Sequence, residues 1–412
     1  MPILTESAYD ISIPKLIKVK QKFSDEKLES IHECIHEQIQ KDKILDKIAK
    51  GKKIALAVGS RGIRNIDVIV KCVVDELKLL GAEPFIITAM GSHGGGIAEE
   101  QLKILNGYGI TEEAMGVEIV SSIITECIGT TNSGISVHID SSALEADIIV
   151  PINRIKPHTD YKGKIESGLC KMMAIGLGNH EGCSRLHKEG FENFHSVIPE
   201  VAELILENAP IGFGIAILEN AYDQTFLVEA ITSEDMMRRE AELLIQAKTL
   251  MPQILLPNID VLVVEELGKD ITGAGMDPNI TGRTARGPMM DFNGPLAKRI
   301  IVLGLTKKTK GNATGIGTAD YITKDAYEQI HFMSTYANSI ASGNPEAARI
   351  PVVMDDEKDA LVAAINTCTR IDINNAKIVK IKNTLELGEI MISENYFDDN
   401  LVSDQIEIVQ EL

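Results

Sequence analysis

No pair of cysteines in this sequence has the spacing Cys-x-x-Cys, although six cysteines are scattered over its 412 residues. Zinc ribbons and iron–sulfur clusters usually depend on such pairs, so neither is expected here. The N-terminus also lacks a basic segment followed by an apolar one, and no apolar run is long enough to span a bilayer. We therefore expect a cytoplasmic protein with reduced thiols and no membrane partner.

Positive charge is also in short supply. Lys and Arg number 41 against 60 Asp and Glu, which gives a formal net charge of −19. A surface of this sign repels nucleic acid and anionic membranes, so neither is an expected partner. An anionic substrate would need a local basic pocket, which directs attention to Lys and Arg residues that lie close to glycines.

Three common motifs for nucleotide binding or hydrolysis are missing as well. The sequence contains no GxGxxG fingerprint with a downstream acid, no Walker A motif and no GxSxG elbow. A dinucleotide-binding domain, a P-loop enzyme and an α/β-hydrolase are therefore not indicated, and the function has to be sought in other loops.

Alternating apolar runs and amphipathic helices predict an α/β fold with two domains, each a mostly parallel sheet flanked by helices. Residues 53–58 and 85–89 are predicted strands on either side of a helix at 65–80 that Gly81 can end, which makes a βαβ unit. A chain of 412 residues is long for one core, and a glycine-rich stretch follows the predicted strand at 259–265. We divide it into an N-terminal catalytic domain, 1–260, and a C-terminal α/β domain, 261–412.

Further elements are predicted from the same periodicities. The additional strands lie near 117–121, 147–152, 212–217, 299–304 and 350–354, and the additional helices at 233–250, 324–341 and 356–367.

Two loops that follow predicted strands combine glycine with a cation or a histidine. Function in open α/β sheets gathers at the carboxyl ends of strands. In residues 59–65 (GSRGIRN), Arg61 could clamp a carboxylate through two parallel hydrogen bonds, although a plain turn with surface arginines fits equally well. In residues 91–96 (GSHGGG), the glycines leave no walls for a core histidine, so an acid or base role is favoured for His93 over a surface turn.

Two more loops add basic groups and histidines. Residues 153–171 carry five Lys or Arg and His158 after a predicted strand, and this position together with Pro157 favours a shaped loop over a solvated one. Farther on, His180 and His187 are seven residues apart, which is two helical turns, so both could face one way. With a third histidine they would resemble a zinc site.

The order of these motifs resembles the nickel-dependent lactate racemase family. The resemblance rests on Ser-Arg at 60–61, Gly-Ser-His at 91–93, Lys-Pro-His at 156–158, Ser-Gly-x-x-Lys at 167–171 and His187, in that order. It covers roughly residues 10–250 well and the C-terminal half more loosely. It implies an isomerase that inverts the C2 centre of a small 2-hydroxy acid by hydride transfer to and from a nickel-pincer nucleotide.

The resemblance also implies which residues hold the cofactor. Lys171 would be joined to the pincer nucleotide through a thioamide, with Ser167 and Gly168 beside it. His187 would be the protein ligand that completes the roughly planar coordination that nickel(II) favours. Enzymes that synthesise the cofactor would be needed for maturation, and whether the chain forms a homo-oligomer is left open.

For the substrate, the resemblance implies two acid/base groups and a set of cations. His93 and His158 would act on opposite faces of the reacting carbon, and Arg61 would bind the carboxylate. Lys269 or Arg283 would stand where the family has a second-domain lysine, in a C-terminal domain that closes over the site.

Two other readings of the same residues stay open. The first is a divalent-metal hydrolase or lyase that uses His158, His180 and His187, and the second is a non-catalytic nucleotide- or phosphate-binding module. Metal content and intact mass distinguish the three readings. Nickel with an adduct on Lys171 supports the racemase, zinc without an adduct supports the hydrolase, and neither supports the binding module.

Overall fold

The computed structural model describes residues 4–60, 62–289, 292 and 294–409. The chain divides into two compact units, Ser24–Met251 and Met1–Phe23 together with Pro252–Leu412. The division proposed from the sequence, after residue 260, therefore differs in two ways. The longer segment of the second unit begins at Pro252, and the N-terminal segment to Phe23, which the sequence assigns to the first domain, belongs to the same unit.

The strands and helices alternate along much of the chain. In chain order the strands are β1 Leu16–Gln21, β2 Lys53–Val58, β3 Glu83–Thr88, β4 Ile119–Val120, β5 Thr125–Thr130, β6 Ser136–Asp140, β7 Ile148–Arg154, β8 Phe213–Glu219, β9 Thr225–Thr232, β10 Ile259–Val264, β11 Arg283–Thr284, β12 Gly287–Pro288, β13 Ala297–Val302, β14 Tyr321–Thr323, β15 Val352–Met354, β16 Ile378–Ile381, β17 Glu389–Ser393 and β18 Ile406–Ile408. The α-helices are α1 Ile31–Ile39, α2 Asp42–Leu45, α3 Ile66–Leu79, α4 Ala98–Gly107, α5 Glu112–Met115, α6 Ser141–Leu144, α7 Leu169–Lys171, α8 Asn179–His187, α9 Phe194–Asn208, α10 Met236–Leu250, α11 Pro278–Thr281, α12 Lys324–Glu328, α13 Phe332–Ala341, α14 Glu357–Thr367 and α15 Asn395–Asp398.

The unit Ser24–Met251 is built on a sheet with strand order β4-β3-β2-β7-β8-β9. Its neighbouring strands are parallel except for β8 and β9, which are antiparallel. The continuous apolar run of β2 is explained by burial on both faces, as is usual for a central parallel strand. Ala55 and Ala57 pack into the core on one side, and Ile54, Leu56 and Val58 pack into the core on the other.

Helix α3 joins β2 to β3 and completes the predicted βαβ unit. Its buried stripe includes Ile66, Ile69, Val73 and Leu77, spaced by three or four residues as one helical face requires. Gly81 follows the helix with φ +82°, a left-handed conformation that glycine adopts without strain. The α/β fold with mostly parallel sheets flanked by helices, predicted from the sequence, is confirmed.

The second unit contains a sheet with strand order β15-β14-β13-β10-β16-β17-β1-β18. It is parallel from β15 to β16 and antiparallel from there to β18. The N-terminal strand β1 lies between β17 and β18, with Leu16 opposite Ser393 and Lys20 opposite Glu389. This pairing is the reason why the N-terminal segment belongs with the C-terminal half of the chain.

One predicted helix is divided in the structure. The segment 324–341 forms α12 and α13, separated at His331. The backbone N–H of His331 donates to the carbonyl of Gly311 rather than continuing a helix, and its Nδ1 accepts the N–H of Ser334 as the cap of α13. Within the described ranges, no helix is both long enough and apolar enough to cross a bilayer.

Candidate active site

The candidate site lies at the carboxyl edge of the sheet in the unit Ser24–Met251. Strands β2, β3 and β7 are parallel neighbours, so the loops that follow Val58, Thr88 and Arg154 emerge at the same edge. This is the edge where open α/β sheets bind ligands. Arg61, which was predicted to bind the substrate carboxylate from the first of these loops, lies outside the described residues.

His93 is presented by residues 91–96, here called the glycine loop. His93 is exposed, and the buried side chain of Gln101 donates to the carbonyls of Gly91 and His93, each at 3.2 Å. The hydroxyl of Ser60, at the end of the first loop, forms a hydrogen bond with Nδ1 of His93. The backbone of the loop is therefore held by Gln101, which the sequence patterns did not single out, and the imidazole is oriented by Ser60 of the Ser-Arg motif.

His158 follows β7 and is 8% exposed. Its Nδ1 accepts the backbone N–H of Asp160 at 3.0 Å, and the Asp160 carboxylate lies 3.7 Å from the same nitrogen. Its ring packs against Tyr161, with the centroids 4.5 Å apart. Both the backbone N–H and the carboxylate of Asp160 therefore lie at Nδ1 of His158.

A fully buried carboxylate, Glu166, holds the loop that carries His158. One oxygen accepts the backbone N–H of His158 at 2.7 Å, and the other accepts the ammonium of Lys248 on α10 at 2.7 Å. Lys162 lies 3.5 Å from the carboxylate, and the hydroxyl of Tyr161 donates to the Glu166 carbonyl at 2.8 Å. A buried charge is tolerable when it is paired and hydrogen bonded in this way.

We predict that Lys248→Met destabilises the protein by about 1–3 kcal/mol, because it takes a charge-assisted partner from a buried acceptor while keeping the apolar stem. The measurement is the free energy of unfolding in denaturant. Lys71→Met is the matched control, since the Lys71–Asp75 pair is exposed and such pairs contribute about 0.5 kcal/mol or less. Equal losses in the two variants would show that the contact with Glu166 does not stabilise the loop.

His187, the last residue of α8, has one ring nitrogen fixed by its own helix. Nδ1 lies 2.7 Å from the carbonyl oxygen and 3.3 Å from the sulfur of Cys183. A carbonyl only accepts, so Nδ1 carries the proton and Nε2 presents its lone pair, as in a metal-ligating histidine. Desolvation opposes the charged ring and the charge of Lys171 lowers its pKa further, but the contacts with Cys183 raise the pKa of His187 above its usual value.

Two contacts bring the separate loops together. The ring of Phe191 lies 6.0 Å from the His158 ring and 5.4 Å from the His187 ring, measured between centroids. The sulfur of Cys183, which contacts His187, also lies 3.5 Å from the hydroxyl of Ser92 in the glycine loop. Together with the electrostatic effect of Lys171 on His187, these contacts assemble the predicted acid/base, attachment and metal-ligand residues in one neighbourhood.

Lys171 ends the short helix α7, and the segment before it is tied to β7 and its loop. The backbones of Ser167 and Lys156 exchange hydrogen bonds of 2.9 and 3.2 Å, and the carbonyl of Gly168 accepts the side-chain amide of Asn153 at 2.8 Å. Ser167 and Gly168, predicted to lie beside the cofactor, therefore have backbone roles in shaping the turn that presents Lys171.

A π-helical turn, Met172–Gly176, follows Lys171 directly. This conformation is rare and is frequent at functional sites. The turn contacts the glycine loop through a hydrogen bond of 3.1 Å from the N–H of Gly91 to the carbonyl of Gly176. A Cβ on Gly176 would lie 2.7 Å from the carbonyl oxygen of Ala89, so only glycine permits this approach.

The three-histidine metal cluster of the hydrolase reading is not formed. Among the described residues, no group of three or more His, Cys, Asp or Glu side chains could hold a metal ion. Phe191 packs against both His158 and His187, whereas His180 lies two turns away beside Ser184 and close to Gly96. The divalent-metal hydrolase therefore loses the ligand set on which it depended.

The two cations predicted in the other unit differ in their surroundings. Lys269 follows β10, and its ammonium donates to the carbonyl of Gly273 at 2.7 Å. Arg283 donates to the carboxylate of Asp320 at 2.6 Å and to the carbonyl of Ala297 at 2.9 Å. Since Ala297 begins β13 and Asp320 precedes β14, Arg283 braces the amino ends of these strands, whereas Lys269 stands at a carboxyl end.

Comparison with known proteins extends these observations. Residues 7–197 match the family model of the lactate racemase N-terminal domain. The fold is similar to that of the lactate racemase apoprotein from Thermoanaerobacterium thermosaccharolyticum, with a TM-score of 0.50 and 14% identity over 90% of this chain and 99% of that chain. It is also similar to a structural-genomics protein from Thermotoga maritima, with a TM-score of 0.54 and 14% identity over 88% and 98% of the two chains. No curated protein sequence matches the chain.

Proposed function

We propose that the chain, in which residues 7–197 match the model of the lactate racemase N-terminal domain, is a racemase or epimerase of a small 2-hydroxy acid. The observation that supports the proposal most is the arrangement around His187. Nδ1 of His187 is fixed by the Cys183 carbonyl, and the charge of Lys171 acts on the pKa of His187. The ring of Phe191 packs against the rings of both His187 and His158.

The residues of the site fit the nickel-pincer nucleotide that the resemblance implies. A pincer brings most donor atoms to nickel itself, so a single imidazole ligand suffices, and His187 offers Nε2 for this purpose. Lys171 supplies an amine for covalent attachment, beside the backbone of Ser167 and Gly168. When bound, the cofactor supplies a carbon that accepts the C2 hydrogen as hydride and returns it.

The two remaining histidines would move the hydroxyl proton. Hydride can leave C2 only as the hydroxyl loses its proton, so a base is needed on each face of the planar keto acid. Nδ1 of His93 is engaged by the Ser60 hydroxyl, and we assign proton transfer on this ring to Nε2. Nδ1 of His158 accepts the Asp160 N–H, so Nε2 carries the proton of the neutral ring. For Nε2 of His158 to act as the base, the proton has to move to Nδ1, where the Asp160 carboxylate lies 3.7 Å away. A general base near its ordinary pKa contributes about 10²–10⁴-fold at neutral pH.

The substrate carboxylate requires a cation in this acidic protein. Arg61 remains the predicted partner of that group, and Lys269 and Arg283 remain the further cations predicted for the substrate.

The proposal is tested by producing the protein together with the pincer-synthesis enzymes and following racemisation of single enantiomers of small 2-hydroxy acids by chiral chromatography. Intact mass and nickel content are measured on the same sample. We expect an adduct, nickel and conversion of one enantiomer into the other. Loaded protein that interconverts none of the substrates would contradict the racemase assignment, and protein that takes up neither nickel nor adduct would contradict the cofactor assignment.

We predict that His187→Ala loses nickel while the organic part of the cofactor stays attached, because the only proposed protein ligand is removed. Nickel per protein should fall by at least about tenfold, the lower end of what changes around metal ligands cost in affinity. Elemental analysis and intact mass are measured together. His180→Ala, on the same helix, is the control and should keep its nickel. If His187→Ala keeps nickel and His180→Ala loses it, the nickel ligand is His180 and not His187.

A further inference from the structure

A carboxyl group stands in the apolar stripe of α10. Glu240 is 0% exposed and lies among Met236, Leu243 and Leu244, which are buried on the same face of the helix. One of its oxygens accepts the backbone N–H of Cys170 at 2.9 Å. In the described part of the chain, the other oxygen, Oε1, has no hydrogen bond of ordinary geometry.

Burial of a carboxyl group in an apolar core costs free energy. Burial raises the pKa of Glu240 to about 7, and the backbone N–H groups of Cys170 and Leu169 only partly oppose this rise. Replacing a buried charge with an apolar side chain of similar volume is often neutral or stabilising. Stability of the core alone therefore does not account for a carboxyl at this position.

Gly168 leaves the space that the Glu240 carboxyl occupies. A Cβ on Gly168 would lie 2.2 Å from Oε1 and 2.6 Å from Cδ of Glu240. The φ of Gly168 is 174°, an extended conformation open to any residue, so space and not backbone freedom requires glycine here. Gly168 thus leaves room for the Glu240 carboxyl beside the Cys170 N–H, in the turn that ends at Lys171.

We propose that Glu240 is a positioning residue that fixes the turn carrying Lys171, by accepting the backbone N–H of Cys170 in that turn, so that the Lys171 amine is presented for cofactor attachment. The role rests on the proposed function of Lys171. The effect on Lys171 is indirect, because Glu240 acts through the backbone N–H of Cys170. Attachment and reaction require groups held to within about 0.5 Å, which an unanchored three-residue helix would not provide.

The test compares Glu240→Leu with Glu240→Gln. Leucine fills the core but accepts no N–H group, whereas glutamine keeps an acceptor oxygen. We expect Glu240→Leu to fold with at least wild-type thermal stability yet to carry at least about tenfold less adduct on Lys171 after co-production with the pincer-synthesis enzymes. Glu240→Gln should load within about twofold of wild type, and exposed Glu242→Leu on the same helix is the control.

A second measurement needs no cofactor. Hydrogen exchange at the Cys170 amide of the unloaded protein should be at least about tenfold faster in Glu240→Leu than in wild type and near wild type in Glu240→Gln. Unchanged exchange in Glu240→Leu, or fast exchange with full loading, would overturn the positioning role while leaving the racemase assignment intact. Wild-type protein that never carries an adduct would instead overturn the proposed function, and the role of Glu240 with it.

Discussion

Lys171→Ala should carry no adduct and show no racemisation, while remaining folded. The side chain is half-buried at the end of α7, where Leu169 and Cys170 provide the core contacts, so the change should cost about 1 kcal/mol or less in stability. Activity should fall by at least about 10⁶-fold, the low end of enzymatic rate enhancements, because no other route for the hydride remains. Intact mass, a chiral assay and thermal denaturation on one preparation measure all three quantities.

The control for Lys171→Ala comes from the same loop. Lys164 is exposed and has no proposed role, so Lys164→Ala should load and racemise like wild type. Lys171→Arg separates charge from covalent chemistry, since a guanidinium keeps the positive charge but does not form the thioamide. Full racemisation by Lys171→Ala, or by Lys171→Arg without an adduct, would refute attachment at this residue.

The parts of this fold that were predictable are those with a local signal. Strand β2 is a continuous apolar run, and α3 shows an unbroken stripe that ends before Gly81. The placement of β1 has no such signal, because Leu16 pairs with Ser393 across almost the whole chain. Antiparallel pairing at that separation is decided by tertiary packing, which a pass along the sequence does not capture.

The candidate site, too, has parts that the sequence predicts and parts that it does not. The histidines, Lys171 and the glycine loop stand in short motifs, whereas the contacts that orient them have no motif of their own. Glu166, in the loop after β7, binds Lys248 on α10, and the position of the proton on His187 follows from the backbone carbonyl of Cys183. Glu240 is the exception, since a carboxylate in the stripe with Met236 and Leu243 is a local inconsistency of the kind that often marks function.

The acid/base pair gives the second large effect. His93→Ala and His158→Ala should each lower net racemisation by about 10²–10⁴-fold, or roughly 3–5 kcal/mol of barrier. Each variant keeps the backbone contacts of its loop, because Gln101 binds the carbonyl at residue 93 and Glu166 binds the N–H at residue 158. The losses therefore report on the imidazoles and not on the collapse of a loop.

If each histidine serves one face of the substrate, the two variants should differ in the enantiomer that they still oxidise. Each loaded variant is mixed rapidly with each pure enantiomer while the cofactor absorbance is followed, and each should react with one enantiomer and stall at the keto acid. His32→Ala, an exposed histidine on α1, is the control and should react with both. Opposite preferences in His93→Ala and His158→Ala would support bases on opposite faces. The same preference in both would place the two histidines on one side of the carbon, and near-normal rates with both enantiomers would leave them structural, with proton transfer carried by another group.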